Sequence, residues 1–184
     1  MTGFGESSYR RNPAADPNEL ERLVRTYADP LVRYAYTITR SSAAAEDVME
    51  DTFAHLIAHG GRFPDEGSIR AWLYRVAHNK AITYLRRHKR ELPLQDVDQV
   101  LYGGDLEADL VAQERNELLY LCLQRLTAQY RQVLQLKYLD GFTNAQICSI
   151  TGLSTKQVYN SLHRGRVALK ELLLKEGITY EDIC

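Results

Sequence analysis

Residues 143–166 read TNAQICSITGLSTKQVYNSLHRGR, and this stretch decides the fold. Thr143 is placed to N-cap a short helix with Gln146 at the capping-box position, Gly152 supplies a permissive turn, and Ser154 with Gln157 repeats the start signal for a second helix. The pattern is a helix-turn-helix written in local chemistry. Ile147, Ile150, Leu153, Val158 and Leu162 have the spacing to lock two crossed helices together. Lys156, Tyr159, Asn160, His163 and Arg164 are then left outside, a polar and cationic face that suits a DNA groove.

The totals limit what this motif can belong to. A chain of 184 residues with 45% hydrophobic and 26% charged content is long enough for one ordinary domain or two small ones with a real core. The N-terminal MTGFGESSYRRNPAADP lacks the apolar stretch of a signal peptide, and no apolar run approaches the roughly 20 residues of a membrane span. The expected location is the cytoplasm, without membrane insertion. Cys122, Cys148 and Cys184 are odd in number and far apart, which fits reduced thiols better than a disulfide framework.

A net charge of −1 and a pI near 6.5 argue against bulk coating of nucleic acid, which depends on an excess of Lys and Arg. The basic residues are instead concentrated in two islands. Arg62, Arg70, Arg75, Lys80, Arg86, Arg87, Lys89 and Arg90 are opposed only by Asp65 and Glu66, and Ser154 to Lys170 holds Lys156, Arg164, Arg166 and Lys170 with no acid. Weak stand-alone DNA affinity follows unless a partner supplies the rest.

Outward from the motif, every periodic segment is helical. Residues 1–15 are expected to form a disordered tail; Asp16 then caps a helix with Pro17 at its first position, and a second helix is expected from Pro30. A third is expected to open at Ser42 and stop at Gly60-Gly61, and a long fourth to be capped by Ser68 and run to about Lys89. On that long helix Ile69, Trp72, Leu73, Val76 and Ala77 are expected to face inward, leaving Arg70, Arg75, His78, Asn79 and Arg86 outside. From Glu91 to about Leu110, Pro93, Gly103-Gly104 and the acids Asp96, Asp98, Asp105, Glu107 and Asp109 read as a linker. No segment alternates like a strand. The expected fold class is all-α: two small helical bundles, 16–90 and 113–176, joined by a flexible acidic linker at 91–112, with a tail at 177–184 and the helix-turn-helix in the second bundle.

Three motifs, in order, resemble the extracytoplasmic-function sigma factors, the two-domain members of the bacterial RNA polymerase sigma family. The first is Ala45-Glu46-Asp47-Val48 followed by Glu50-Asp51-Thr52-Phe53. The second is Ala71-Trp72-Leu73 with Val76-Ala77-His78-Asn79 and Leu85-Arg86-Arg87. The third is Gly141-Phe142-Thr143, Ile147, Gly152-Leu153-Ser154, Val158, Leu162, Arg164, Arg166 and Leu169. They span roughly Leu20 to Leu173, with a linker where the family has one.

The resemblance implies core-polymerase binding by Asp47, Glu50 and Asp51. It implies reading of the minus-ten promoter element by Arg62, Phe63, Arg70, Arg75, His78, Asn79, Arg86 and Arg87. For the minus-thirty-five element it implies Ser154, Thr155, Lys156, Gln157, Tyr159, Asn160, His163, Arg164 and Arg166. Core RNA polymerase, promoter DNA and an anti-sigma factor are the implied partners of a chain that is a monomer when free. Departures from the family pattern are Glu50 for a usual Gln, Thr83 for a usual Asp, and Gln146-Ile147-Cys148 for Glu-Ile-Ala. Tyr159, Asn160 and Ser161 stand where Lys, Ser and Arg are usual, so the promoter sequence is expected to differ; Asn160 suits a bidentate contact to adenine.

Plainer meanings exist for several of these residues. An acidic run such as Asp47, Glu50 and Asp51 is often only a solvated face. His55 and His59, at i and i+4, suit zinc, but no third ligand accompanies them in a metal motif, and ordinary helix surface is favoured. Trp72 reads as core rather than a base-stacking platform. No phosphate loop, G-x-S-x-G or H-E-x-x-H is present, so neither an enzyme nor a cofactor or metal site is expected. The competitors are a polymerase-independent helix-turn-helix regulator and an adaptor that captures an anti-sigma factor. A free-standing regulator has no need for both the Asp47 motif and the Trp72 to Arg87 motif.

Overall fold

The computed structural model describes residues 16–88 and 121–176, with Pro13 and Leu119 besides. The expected N-terminal tail (apart from Pro13), the acidic linker at 91–112 and the tail at 177–184 lie outside the described residues, as do Lys89 and Arg90. Every described element is helical. Among the described residues no helix is long and apolar enough to cross a membrane.

Helix α1 spans Pro17–Thr39, with the Asp16 side chain accepting from the Asn18 N–H at 3.0 Å and Pro17 in the first turn. The break expected at Pro30 does not occur; the helix runs through it. An internal proline costs roughly 3 kcal/mol. Against that, Leu23, Tyr27, Leu31, Tyr34 and Ile38 fall on a single stripe across Pro30, and all five are buried. Burial of several such side chains, at about 1.5–3 kcal/mol each, outweighs one missing hydrogen bond.

Helix α2 (Ser42–His59) is capped by Ser41, one residue before the expected cap, and α3 (Glu66–His88) starts two residues before Ser68. There Asp65 takes the capping role, its carboxylate accepting from Ser68 N–H at 2.7 Å. Arg22 bridges Glu19 and Glu66 at 3.0 Å each, which ties the start of α3 to α1. The three helices pack around Leu23, Leu31, Tyr34, Leu56, Ile69, Leu73 and Tyr74.

The second bundle begins with a helical segment at residues 121–125 (α4), followed by α5 (Ala128–Leu134), which continues as a π-helical turn over Gln135–Leu139. Helices α6 (Asn144–Thr151) and α7 (Thr155–Lys175) complete it. At the α5–α7 crossing Gly165 is buried; a Cβ there would meet Leu134 Cδ1 at 3.1 Å and Tyr130 Cβ at 3.2 Å. Any side chain at this position would require Leu134 or Tyr130 to shift by a few tenths of an ångström.

The two bundles also touch. The ring of Phe142 meets that of Tyr74 edge-on at 4.8 Å, and Arg131, buried in the second bundle, donates to the Thr37 carbonyl of α1 at 2.7 Å. The two cores are thereby continuous.

Candidate nucleic-acid interface

The helix-turn-helix forms as its local chemistry dictates. Thr143 accepts from Gln146 N–H at 3.3 Å while Gln146 Oε1 accepts from Thr143 N–H at 2.9 Å, and Ser154 and Gln157 repeat the exchange at 3.3 and 2.8 Å. Gly152 closes α6 in the left-handed conformation, φ +73°. Its N–H donates to the Cys148 carbonyl at 2.9 Å.

Packing sorts α7 into two faces. Val158, Ser161, Leu162 and Gly165, at i, i+3, i+4 and i+7, are buried. Lys156, Tyr159, Asn160, His163, Arg164 and Arg166 are exposed, with Tyr159 at 59%. Ile147 and Ile150 from α6 are buried against this seam and Leu153 half-buried, as the spacing requires. Cys148 is also only half-buried, 3.9 Å from Thr155 Oγ1.

Ser161 departs from expectation. Named with Tyr159 and Asn160 as a departure expected to alter promoter readout, it is buried instead: its hydroxyl accepts from Gln129 Nε2 at 2.8 Å and belongs to the α5–α7 packing. Ser154 and Gln157 spend their side-chain oxygens on capping, which leaves the Gln157 amide N–H groups outward for another acceptor. The outer face therefore offers the cations Lys156, Arg164 and Arg166 for phosphate oxygens, and in Asn160 a donor and an acceptor together for base edges in the major groove.

On the first bundle, Asp47, Glu50 and Asp51 are all exposed on α2. Asp51 accepts from Lys80 Nζ at 2.9 Å, an exposed pair worth under about 1 kcal/mol. Asp47 and Glu50 leave the α2 surface acidic beside it. Arg62 lies in the exposed loop after α2, and Arg75, Asn79 and Arg86 share one exposed face of α3 with Arg87 beside them.

Three members of the minus-ten set are placed otherwise. His78, expected outside, is buried, with Nδ1 2.9 Å from the Tyr34 hydroxyl; burial lowers its pKa to about 4, so the ring is neutral at pH 7 and gives no charge to a phosphate. Phe63 is buried edge-on to Trp72, ring centres 5.6 Å apart. Trp72 itself is only half-buried, stacked on His55 at 5.7 Å, and His55 stacks on His59 at 4.7 Å. Those two histidines thus extend an aromatic row, and among the described residues no group of three His, Cys, Asp or Glu side chains could hold a metal ion. Arg70 is half-buried, donating to the Asp140 carbonyl and lying 4.4 Å from the centre of the Phe142 ring.

Sequence reasoning missed Arg131 and Asp140. Arg131 donates to the carbonyls of Thr37, Gln124 and Leu126 at 2.7, 2.8 and 3.1 Å. Asp140 accepts from the Tyr74 hydroxyl at 2.8 Å, and burial pushes its carboxyl up to about 6. Nothing local marks either residue, because each depends on a partner in the other bundle.

Comparison with known proteins agrees with this architecture. Residues 23–91 match the Sigma-70 region 2 family model and residues 116–169 the Sigma-70, region 4 model. The chain is 31% identical over 168 residues to the ECF RNA polymerase sigma factor SigL of Mycobacterium tuberculosis, covering 90% of this chain and 95% of the relative. It is 27% identical over 155 residues to the ECF RNA polymerase sigma factor SigM of Bacillus subtilis, covering 83% and 94%. Among solved structures, the sigma factor RpoE bound to the anti-sigma factor NepR from Bartonella quintana superposes with a TM-score of 0.62 at 21% identity, over 85% of this chain and 97% of that one. CnrH in complex with the cytosolic domain of CnrY gives 0.61 at 23%, over 88% and 92%. With both sigma regions matched in order and a relative above 30% identity aligned along nearly its whole length, this chain belongs to the extracytoplasmic-function (ECF) RNA polymerase sigma factors, a family of transcription initiation factors.

Proposed function

We propose that the chain docks on core RNA polymerase through the α2 face bearing Asp47, Glu50 and Asp51 and directs the enzyme, in the cytoplasm, to a small set of promoters. The minus-thirty-five element is read as duplex by the exposed face of α7, where Lys156, Arg164 and Arg166 hold phosphates and Tyr159, Asn160 and His163 meet base edges. The minus-ten element is read in melted form by Arg62, Arg75, Asn79, Arg86 and Arg87, with Arg70 joining them when it is free, and with Phe63 and His78 supporting the surface from beneath. The carrying observation is the division of α7 into a buried Val158-Ser161-Leu162-Gly165 seam and an exposed outer face bearing Lys156, Arg164 and Arg166 beside Tyr159, Asn160 and His163. By analogy with the complexes of RpoE with NepR and CnrH with CnrY, an anti-sigma protein holds the chain inactive until a signal releases it.

In vitro transcription tests the reading. The purified chain is added to core polymerase on genomic templates and transcript starts are sequenced. New starts sharing two spaced elements are the expected result; no new starts, together with no co-purification with core, would overturn it.

A further inference from the structure

The seam by which α7 packs on the second bundle is made largely of carbon. Val158, Leu162 and Gly165 are buried in it, and Gly165 lies against Leu134 and Tyr130 of α5. Ser161, only 2% exposed, is the polar residue among them, and its hydroxyl accepts at 2.8 Å from Nε2 of Gln129 in the first turn of α5. Gln129 is itself exposed, so its side chain reaches in from the surface to make this bond. Two other polar contacts tie α7 to its bundle, and both lie at its ends. Cys148 Sγ is 3.9 Å from Thr155 Oγ1, and Arg125 pairs with Glu176 just past Lys175. The Gln129 contact is made instead at the residue directly after Asn160, in the middle of the exposed reading face.

We propose that Gln129 is a positioning residue for promoter readout: its hydrogen bond to Ser161 fixes the rotation of α7 about its own axis at the angle where Asn160 meets its base. The proposal rests on the minus-thirty-five role given to α7 above. Ser161 is buried and does not touch DNA itself, so its effect on readout passes through this bond.

Apolar burial is non-directional and tolerates a small rotation of one helix on another, whereas a hydrogen bond fixes both a distance and an angle. The tolerance matters because of the lever arm. Side-chain tips lie about 5–6 Å from a helix axis, so a rotation of about 10° carries them about 1 Å. An Asn that reads adenine uses its amide N–H and its carbonyl oxygen together, and a displacement of about 1 Å takes both beyond hydrogen-bond reach. Lys156, Arg164 and Arg166 are insensitive to the same rotation, because long cationic side chains follow a phosphate by changing rotamer. Loss of the Gln129 bond therefore lowers selectivity without lowering the electrostatic part of the affinity. The pairing also belongs to the residue this chain carries at position 161. An arginine, usual there in the family, has no acceptor to offer the Gln129 amide.

The test uses the full chain with core RNA polymerase on a promoter library randomised over the minus-thirty-five element, with transcripts counted by sequence. Wild type is compared with Gln129→Met, Ser161→Ala, Asn160→Ala and the pair Gln129→Met/Asn160→Ala. The position whose preference Asn160→Ala removes is the one Asn160 reads. There, Gln129→Met and Ser161→Ala are each expected to lower the ratio of best to worst base by about fivefold or more. The pair is expected to fall no further than Asn160→Ala alone, because both changes act through one contact. Total transcript yield is expected to keep the wild-type dependence on salt in Gln129→Met and Ser161→Ala, since the phosphate contacts remain. If Ser161→Ala fails to fold, Gln129→Met, changed at an exposed site, decides alone. Wild-type preference in Gln129→Met would overturn the positioning, and so would a further fall in the pair, which would make Gln129 a reader in its own right. An even loss at every position, in step with a lowered urea midpoint, would reduce the bond to a packing contact and overturn it as well. Preference that survives Asn160→Ala would remove the residue being positioned and the proposal with it. A wild type with no base preference anywhere in the element is a different failure, that of the minus-thirty-five reading itself, and it would take the positioning down too.

Discussion

Titrating His78 probes the packing of the first bundle from inside. The imidazole is buried between α1 and α3 with Nδ1 2.9 Å from the Tyr34 hydroxyl, and burial lowers its pKa from 6.5 to about 4. The unfolded chain takes up a proton below 6.5 and the folded chain does not. The contribution of His78 is therefore fully present above pH 6.5 and is lost as pH falls through about 4. Each tenfold difference in proton affinity is worth about 1.4 kcal/mol, so the loss approaches about 3 kcal/mol at the acid limit. That is a large share of the roughly 5–15 kcal/mol by which a domain is stable. The His78 ring resonances, followed by NMR from pH 7.5 to 4, are expected to stay in the neutral form to below pH 5. Urea melts of wild type and of the double variant Tyr34→Phe/His78→Leu, which removes both polar groups together, are expected to differ in their pH slope below 6.5. A His78 midpoint near 6.5, or equal slopes, would refute the buried placement.

Four further outcomes are expected. Gly165→Val forces a branched side chain into the 3.1–3.2 Å gap against Leu134 and Tyr130; overpacking costs about 1–3 kcal/mol in a thermal or urea melt. Arg131→Met removes donors to three carbonyls, and a loss of about 3 kcal/mol is expected by the same measurement. Asn160→Ala, at an exposed site, is expected to leave stability within about 0.5 kcal/mol and to relax base preference at one promoter position by about 1–3 kcal/mol; a promoter library with unchanged preference would remove Asn160 as a reader. Asp47→Lys is expected to weaken co-purification with core polymerase while the helix content of the bundle stays constant; wild-type binding would make the acidic face of α2 merely solvated.

The helix-turn-helix was legible because its determinants are close in sequence. Two capping boxes and Gly152 act over three residues, and the Ile147, Ile150, Val158 and Leu162 seam follows from periodicity. The exposed faces of α2 and α7 were legible for the same reason. Other features required tertiary competition. Pro30 reads as a helix boundary, yet the buried stripe from Leu23 to Ile38 carries α1 through it. His78 and Ser161 are polar residues at positions where periodicity alone cannot tell a solvated side chain from one with a buried partner; Tyr34 and Gln129 settle each case. By itself, then, the sequence determined the helices, the DNA-facing motif and the family, all carried by local capping, period and spacing. Only the tertiary structure decided that the two bundles meet through Arg131, Asp140 and Phe142. Those contacts join Thr37 to Arg131 and Tyr74 to Asp140 across 94 and 66 residues, and such pairings arise from the burial of surfaces brought together only when the chain folds.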